Sequence, residues 1–547
     1  MEYYDLGSYT RAVTTTSNDA QMWFDRGLAW TYAYNHEEAI ACFRNALEAD
    51  PACAMAHWGI GYCIGPNYNK PWETFEEDEK PECIELAQSS IRAAFELLDR
   101  LSLVEQSLIR ALPARYPESA NVEDFRPWND AFADAMRKVH ADFGDDPDVC
   151  ALFAESIMNR TPWQLWDLPT GKPAKGANTL EAIAVLDGAF EALPGSWKHA
   201  GLLHMYIHLM EMSPTPEKAL RQGDALCALL PDAGHLLHMP THIDVLCGDY
   251  INVVLRNERA IVADRKYLAK KGPDNFYSVY RCHNYHFKIY GAMFLGQPTK
   301  ALEAAEELVS TLPAETLRPM ADWFEGFIPM KQHVLIRFGR WQEILDQELP
   351  EDEELYCVTL AMMRYARTVA LANMRKIAES ETEKALFFEA LDRVPESRML
   401  FNNTCRDILG VAEQMMLGEL AYHKGEHETA FAHLRKSVEI DDNLPYDEPW
   451  GWMQPTRHAL GALLLEQDKV DEAEAVYRAD LGLDDTLNRA CQHPDNVWSL
   501  HGLHECLTRR GDVLEAAHVK LQLDKATARA EVPIRASCYC RQQHFAA

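Results

Sequence analysis

An amphipathic helix–turn–helix pattern recurs along this 547-residue chain, and a recurrence of that kind restricts the fold more than any other feature of the sequence. In Gln21 to Pro51, QMWFDRGLAWTYAYNHEEAIACFRNALEADP, apolar residues fall three and four apart, break at a turn around Asn35-His36, resume, and stop before proline. The unit returns after 34 residues, which sets Trp58 at the place of Phe24 and Gly61 at the place of Gly27. A helix pair of this length cannot bury its apolar face alone, so neighbouring pairs must stack on one another.

The same design reappears in MMLGELAYHKGEHETAFAHLRKSVEIDDNLP, in HALGALLLEQDKVDEAEAVYRADL and in SLHGLHECLTRRGDVLEAAHVKLQ. There Gly418, Gly461 and Gly502 stand 43 and 41 residues apart, so loops lengthen the basic period, and Ala430, Ala473 and Ala516 mark the tight contact of each second helix. The period, the small residues between paired helices and the proline after the second helix resemble the tetratricopeptide repeat. No strand-like alternation is sustained, so the expected class is all-α, a tetratricopeptide-like helical repeat solenoid. We divide it into N-terminal repeats over 1–150, a His-rich central array over 151–300 and C-terminal repeats over 301–547. In the central part Glu217 to Leu230 reads as one helix, followed by the His235 segment, a turn at Gly248-Asp249 and a helix through Arg256, Asn257 and Ala260.

That central array carries ligand-type side chains at helical spacing. A helix advances about 100° per residue, which places His204, His208 and Glu211 of GLLHMYIHLMEMSP at about 0°, 40° and −20° around the axis. His235, His238 and His242 of AGHLLHMPTHIDVL fall within about 60° if one helix runs through them, and Pro240 is the residue that would kink it and re-aim the rings. His283 and His286 of RCHNYHFKIYGAMFL are three apart on a further helix.

Neutral imidazole is the commonest protein metal ligand, and a carboxylate beside it suits zinc, copper or iron. Placed on consecutive stacked helices, these residues are expected to converge on one or two divalent ions, with Glu211 as ligand or as general base on a bound water. A buried hydrogen-bond network that fixes helix packing is the other reading of the same rings. The pattern departs from that of a zincin, because Met205 stands where His-Glu-x-x-His has its glutamate.

Charge excludes other partners. The formal net charge is −31, from 53 Lys+Arg against 84 Asp+Glu, and a surface of that sign repels nucleic-acid phosphates and anionic membranes. Acidic runs such as ETFEEDEK and ELPEDEEL read as solvated loops or helix starts. No stretch approaches the ~18 apolar residues of a membrane span, and MEYYDLGSYTRAV has no leader pattern, so a cytoplasmic location is expected. The 14 cysteines lack the spacing of a disulfide scaffold and read as reduced core residues; Cys538 and Cys540, and Cys282 beside His283, are the ones with an alternative in metal or redox chemistry. Nucleophile-elbow and nucleotide-phosphate motifs are absent, so no nucleotide cofactor is indicated.

Three further groups mix aromatic and polar residues as pocket rims do: His57, Trp58, Asn67, Tyr68, Asn69 and Trp72; then Asn159, Arg160, Trp163 and Trp166; then Trp450, Trp452, Arg457, His493, Asn496, Trp498, His501 and His504. Packing between repeats explains most of them equally well. The blocks HMYIHLMEMSPTPEKAL, PDAGHLLHMPTHIDVLCGDY, CHNYHF, PYDEPWGWMQPTRHALGALLLEQ and HPDNVWSLHGLHECL resemble those of the tetratricopeptide repeat protein 38 family along nearly the whole chain. That resemblance singles out His204, His208, Glu211, His235, His238, Pro240, His242, His283, Asn284 and His286 and implies no activity. Two functions follow as expectations: a metal centre that binds or transforms a small molecule, or a scaffold that holds a peptide or protein partner in its groove.

Overall fold

The close stacking of successive helices is visible at one aromatic ring. In the computed structural model, which describes residues 3–117 and 122–542, Phe43 of the helix His36–Ala49 is wedged between two glycines. A Cβ on Gly27, in the helix Asn18–Tyr32, would fall 2.5 Å from that ring, and one on Gly59, in the helix Ala54–Cys63, would fall 2.6 Å from it. Gly61 makes a looser approach one unit further on, 3.2 Å from Leu112 and 3.5 Å from Ala87 and Ile91. The correspondence of Gly27 with Gly61 is therefore a correspondence of helix crossings.

Local signals bound these helices as the sequence indicates. Ser17 caps the Asn18–Tyr32 helix by accepting from the Ala20 N–H at 3.2 Å, and Asn35 caps the next by accepting from Glu38 at 3.2 Å. Between them the chain reverses at Tyr34, a non-glycine residue held at φ 54°. The C-terminal repeats use the same wedge: Tyr477 of the helix Val470–Asp480 lies against Gly461 of Thr456–Glu466, with a Cβ separation of 2.5 Å, and against Gly502 of Val497–Arg510. Gly418 of Cys405–His423 sits over Leu434 and the Ala430 carbonyl of His427–Asp442.

Contacts gather the chain into two compact units, Met1–Ile243 with Val262–Lys266 and Asp244–Ile261 with Tyr267–Ala547. In the first, sequential helices pack in pairs from Asn18 onward, and the Ala200–Met210 helix lies against both Asn18–Tyr32 and Pro147–Met158. In the second, the pairs include Tyr277–Phe294 with Pro298–Ser310, Cys357–Asn373 with Ile377–Leu391, and Val497–Arg510 with Val513–Thr527. Strand structure among the described residues is limited to two antiparallel pairs of two residues each, Trp166–Asp167 with Lys172–Pro173 and Met399–Leu400 with Asn403–Thr404, and one isolated bridge. No helix of the described residues is long and apolar enough to cross a membrane.

One local expectation is corrected, and the condition set by Pro240 is decided. The stretch 217–230 is a short 3-10 turn, Pro216–Ala219, running into a helix that ends at Leu226. The His235 segment divides at its proline into Gly234–His238 and Pro240–Leu246, because Pro240 has no N–H to continue the first ladder and starts the second helix instead.

Candidate metal centre

The Ala200–Met210 helix is buried along all eleven of its residues, as its continuous apolar sequence requires. Gly201 lets it approach the first repeat, since a Cβ there would lie 2.6 Å from the Tyr32 ring. At its start His199 caps the helix through Nδ1, which accepts from Leu202 at 3.1 Å, and Nε2–H donates to Asp148 at 3.0 Å. One turn further on, His204 meets the end of the Asn18–Tyr32 helix. The last carbonyls of a helix lack intrahelical partners, and that of Tyr32 accepts from His204 Nδ1 at 2.7 Å. His208 Nδ1 donates to Glu211 Oε1 at 3.0 Å, and Glu211 keeps helical dihedrals at the C-cap so that its carboxylate folds back over the same face.

His235, His238 and His242 enter from the broken segment. His242 Nδ1 lies 3.2 Å from Glu211 Oε2, and the Nε2 atoms of His238 and His242 are 2.9 Å apart, one donating to the other. The His235 ring centroid is 5.0 Å from that of His204 and 6.4 Å from that of His208, while His204 and His208 are 4.7 Å apart. One ring nitrogen each of His204, His208 and His235 lies within 4.8 Å of the others. The first unit thus collects five histidines and Glu211 into one contiguous buried cluster, none of them more than 2 % exposed.

Burial sets their protonation. The ring of His204 is pushed down to about 3 by desolvation and by His238, and those of His208, His235 and His242 fall well below the usual imidazole range by desolvation and by their mutual proximity. All four are neutral near pH 7, the form in which imidazole ligates metals. With Nδ1 of His204 and of His208 engaged, the lone pair of each ring is left on Nε2, and both Nε2 atoms are buried without a hydrogen-bond partner.

Aromatic rings close around the cluster. Tyr34 packs on His204, His208 and His235 at centroid distances of 4.6, 6.0 and 5.8 Å. Tyr68 and Trp163, drawn from two of the three mixed aromatic–polar groups, both touch His208, at 4.8 and 5.7 Å, and the Trp163 N–H donates to the Tyr68 hydroxyl. Trp166 donates through its indole to the Leu209 carbonyl at 2.7 Å.

His283 and His286 belong to the second unit, where their rings are 6.4 Å apart and both lie against Phe401. Nε2 of His286 contacts the Met453 sulfur at 2.8 Å. The third aromatic–polar group is partly absorbed by a buried carboxylate that spacing alone did not reveal: Asp480 accepts from His458, His493, Asn496 and Ser499. Asp148 has the same role in the first unit, accepting from Tyr9, Arg11, Tyr32 and His199. Both were missed because their partners are distant in sequence or, for Asp480, follow no helical period. Cys538 and Cys540, the pair with an alternative in metal or redox chemistry, are joined by a disulfide, and Glu419 lies beside them.

A family model described as the tetratricopeptide repeat matches residues 32–64, which hold the helices His36–Ala49 and Ala54–Cys63. Among curated proteins none matches the chain. Similar solved structures include that of the APC/C hetero-tetramer Cut9-Hcn1, at 12% identity over 94% of this chain and 78% of that one with a TM-score of 0.31. Another is Naa15/Naa10 bound to HypK-THB, at 13% identity over 94% and 74% with a TM-score of 0.22. The repeated glycine–aromatic wedge and the matched segment together make this chain an all-α protein of tetratricopeptide-like helical repeats.

Proposed function

We propose that the chain is a scaffold whose helical repeats dock a protein partner. The observation that carries this reading is the apolar stripe exposed on the helix Val513–Thr527. Repeat helices bury one face on the preceding helix and another on the next. Leu514, Ala517 and Leu521 share one face of that helix by their spacing of three and four. Leu514 is 77 % and Leu521 69 % exposed, with Val513 beside them at 79 %. An amphipathic helix of a partner, with anchors at matching intervals, continues the stacking there. The net charge of −31 speaks for a protein partner over nucleic acid.

The test places a photo-crosslinking amino acid at Leu514 in the full chain expressed in cells. A single adduct of defined mass is expected, and it should vanish in Leu521→Glu at an unaltered melting temperature. No adduct, or one indifferent to Leu521→Glu, overturns the reading.

A second reading is favoured by the five buried histidines and Glu211: a divalent zinc, copper or iron ion held there serves to bind or transform a small molecule, with Glu211 as a ligand or as the base on a bound water. The sequence blocks quoted above support placing the chain with the tetratricopeptide repeat protein 38 family, whose name describes a scaffold.

A further inference from the structure

We propose that His204, His208 and His235 form a three-imidazole site for one zinc-type divalent ion, with the Tyr32 carbonyl and Glu211 as the groups that aim two of the rings. This deepens the second reading above, on which it rests for the presence of an ion, and it separates ligands from supporting groups among residues that helical spacing left equivalent.

The distinction comes from which nitrogen is already engaged. His204 donates from Nδ1 to a backbone carbonyl and His208 from Nδ1 to a carboxylate. Metal-bound histidines are oriented by these two kinds of acceptor, which hold the tautomer and raise the basicity of the opposite nitrogen. Each ring therefore turns a basic Nε2 into the interior, and both of these atoms are buried with no hydrogen bond. His235 supplies a third nitrogen, all three lying within 4.8 Å of one another. Zinc–nitrogen bonds of about 2.0–2.1 Å set ligand atoms about 3.4 Å apart in a tetrahedron, so modest ring rotations complete the set.

Glu211 is assigned to the supporting layer because Oε1 accepts from His208 and Oε2 faces His242. Its negative charge, one residue removed from the ion, offsets a dication that three neutral imidazoles leave uncompensated. His238 and His242, paired through Nε2, extend that layer. Nitrogen donors select zinc and its neighbours over calcium or magnesium, which take oxygen. Three protein ligands leave a fourth position for water or a small ligand. The Tyr34 ring, in contact with all three imidazoles, walls the site.

The test uses the full chain purified without an affinity tag, stripped with a chelator and titrated with zinc alone against a chromophoric competitor. One equivalent is expected to bind, to raise the melting temperature, and to be replaceable by cobalt with the visible bands of a four-coordinate ion. His204→Ala and His235→Ala should each abolish stoichiometric binding, Glu211→Gln should weaken it about 10–100-fold, and His286→Ala should leave it unchanged. A wild-type chain with no stoichiometric zinc overturns both the site and the second reading. Undiminished zinc affinity in His204→Ala overturns this ligand set alone. If the alanine variants fail to fold, the wild-type cobalt spectrum and the affinity of Glu211→Gln decide: weak six-coordinate bands, or an unchanged affinity, overturn the ligand set.

Discussion

His208 and Glu211, three residues apart at the end of one helix, are joined by a 3.0 Å hydrogen bond in which the imidazole Nδ1–H donates to the carboxylate, and both side chains are fully buried. The second carboxylate oxygen faces His242 Nδ1 at 3.2 Å, so a single acid ties the Ala200–Met210 helix to the Pro240–Leu246 segment. Glu211→Ala removes the acceptor of the His208 Nδ1–H and the charge beside His242. A buried donor left without a partner costs about 1–3 kcal/mol, so the metal-free variant should be destabilised by about that much in urea unfolding. Glu211→Gln, which keeps one carbonyl oxygen, should lose less. A loss under about 0.5 kcal/mol for the alanine variant would deny the acid this tie.

The close approach that delivers His204 to the Tyr32 carbonyl depends on Gly201 having no side chain. A Cβ there lies 2.6 Å from the Tyr32 ring and 3.1 Å from the Ala151 Cβ. Gly201→Val should cost about 1–3 kcal/mol through overpacking, measured by denaturant midpoint. Gly188, inside the Thr179–Ala192 helix with open space at its Cβ position, is the internal control. Gly188→Ala should be neutral or stabilise by up to about 1 kcal/mol, as alanine does in a helix interior.

Asp148 gathers four donors, with the Tyr9 and Tyr32 hydroxyls at 2.7 and 2.5 Å, Arg11 at 2.6 Å and His199 at 3.0 Å. Its carboxyl is held well below the usual carboxylate range: burial opposes this, but His199, Arg11 and Tyr32 outweigh it. A depressed folded value stabilises the protein above the unfolded value, about 3.9, and that contribution is lost as pH falls below it. Asp148→Asn should therefore be less stable by about 3–5 kcal/mol at pH 7. The deficit should shrink on titration from pH 4 toward pH 2; a deficit that does not change with pH would contradict the assignment.

Glu419 has the opposite sign. Burial pushes its carboxyl up to about 7, although Asn373 donates to it at 3.0 Å and the Arg337 charge pulls the other way. The folded chain holds this proton more tightly than the unfolded chain, so its contribution is fullest below about pH 4 and declines as pH rises to about 7. Glu419→Gln removes the titration. The stability of the variant relative to wild type should increase between pH 5 and pH 7.5, by up to about 3 kcal/mol. Parallel pH profiles for the two proteins would show that Glu419 stays ionised throughout.

Much of this was legible in the chain because it is local. The apolar spacing of Gln21 to Pro51, the capping residues Ser17 and Asn35, and the 34-residue return of glycine from Gly27 to Gly61 each specify helix pairs and their contact points within a few dozen residues. The equal azimuth of His204, His208 and Glu211 is likewise a property of one helix. Pro240 marked where the His235 segment would break, and it breaks there.

What the sequence by itself determined, then, is that helices pair and that certain imidazoles share a face, since both follow from a backbone repeat of about 3.6 residues. Only the tertiary structure decided which nitrogen of each ring is engaged, because the acceptor for His204 is a helix-end carbonyl 172 residues away, at Tyr32. It also decided that Tyr34, Tyr68 and Trp163 enclose those rings, and that Asp148 and Asp480 anchor networks announced by no spacing. Side-chain direction and desolvation are set by what packs across a helix, and no periodicity along a single segment carries that information.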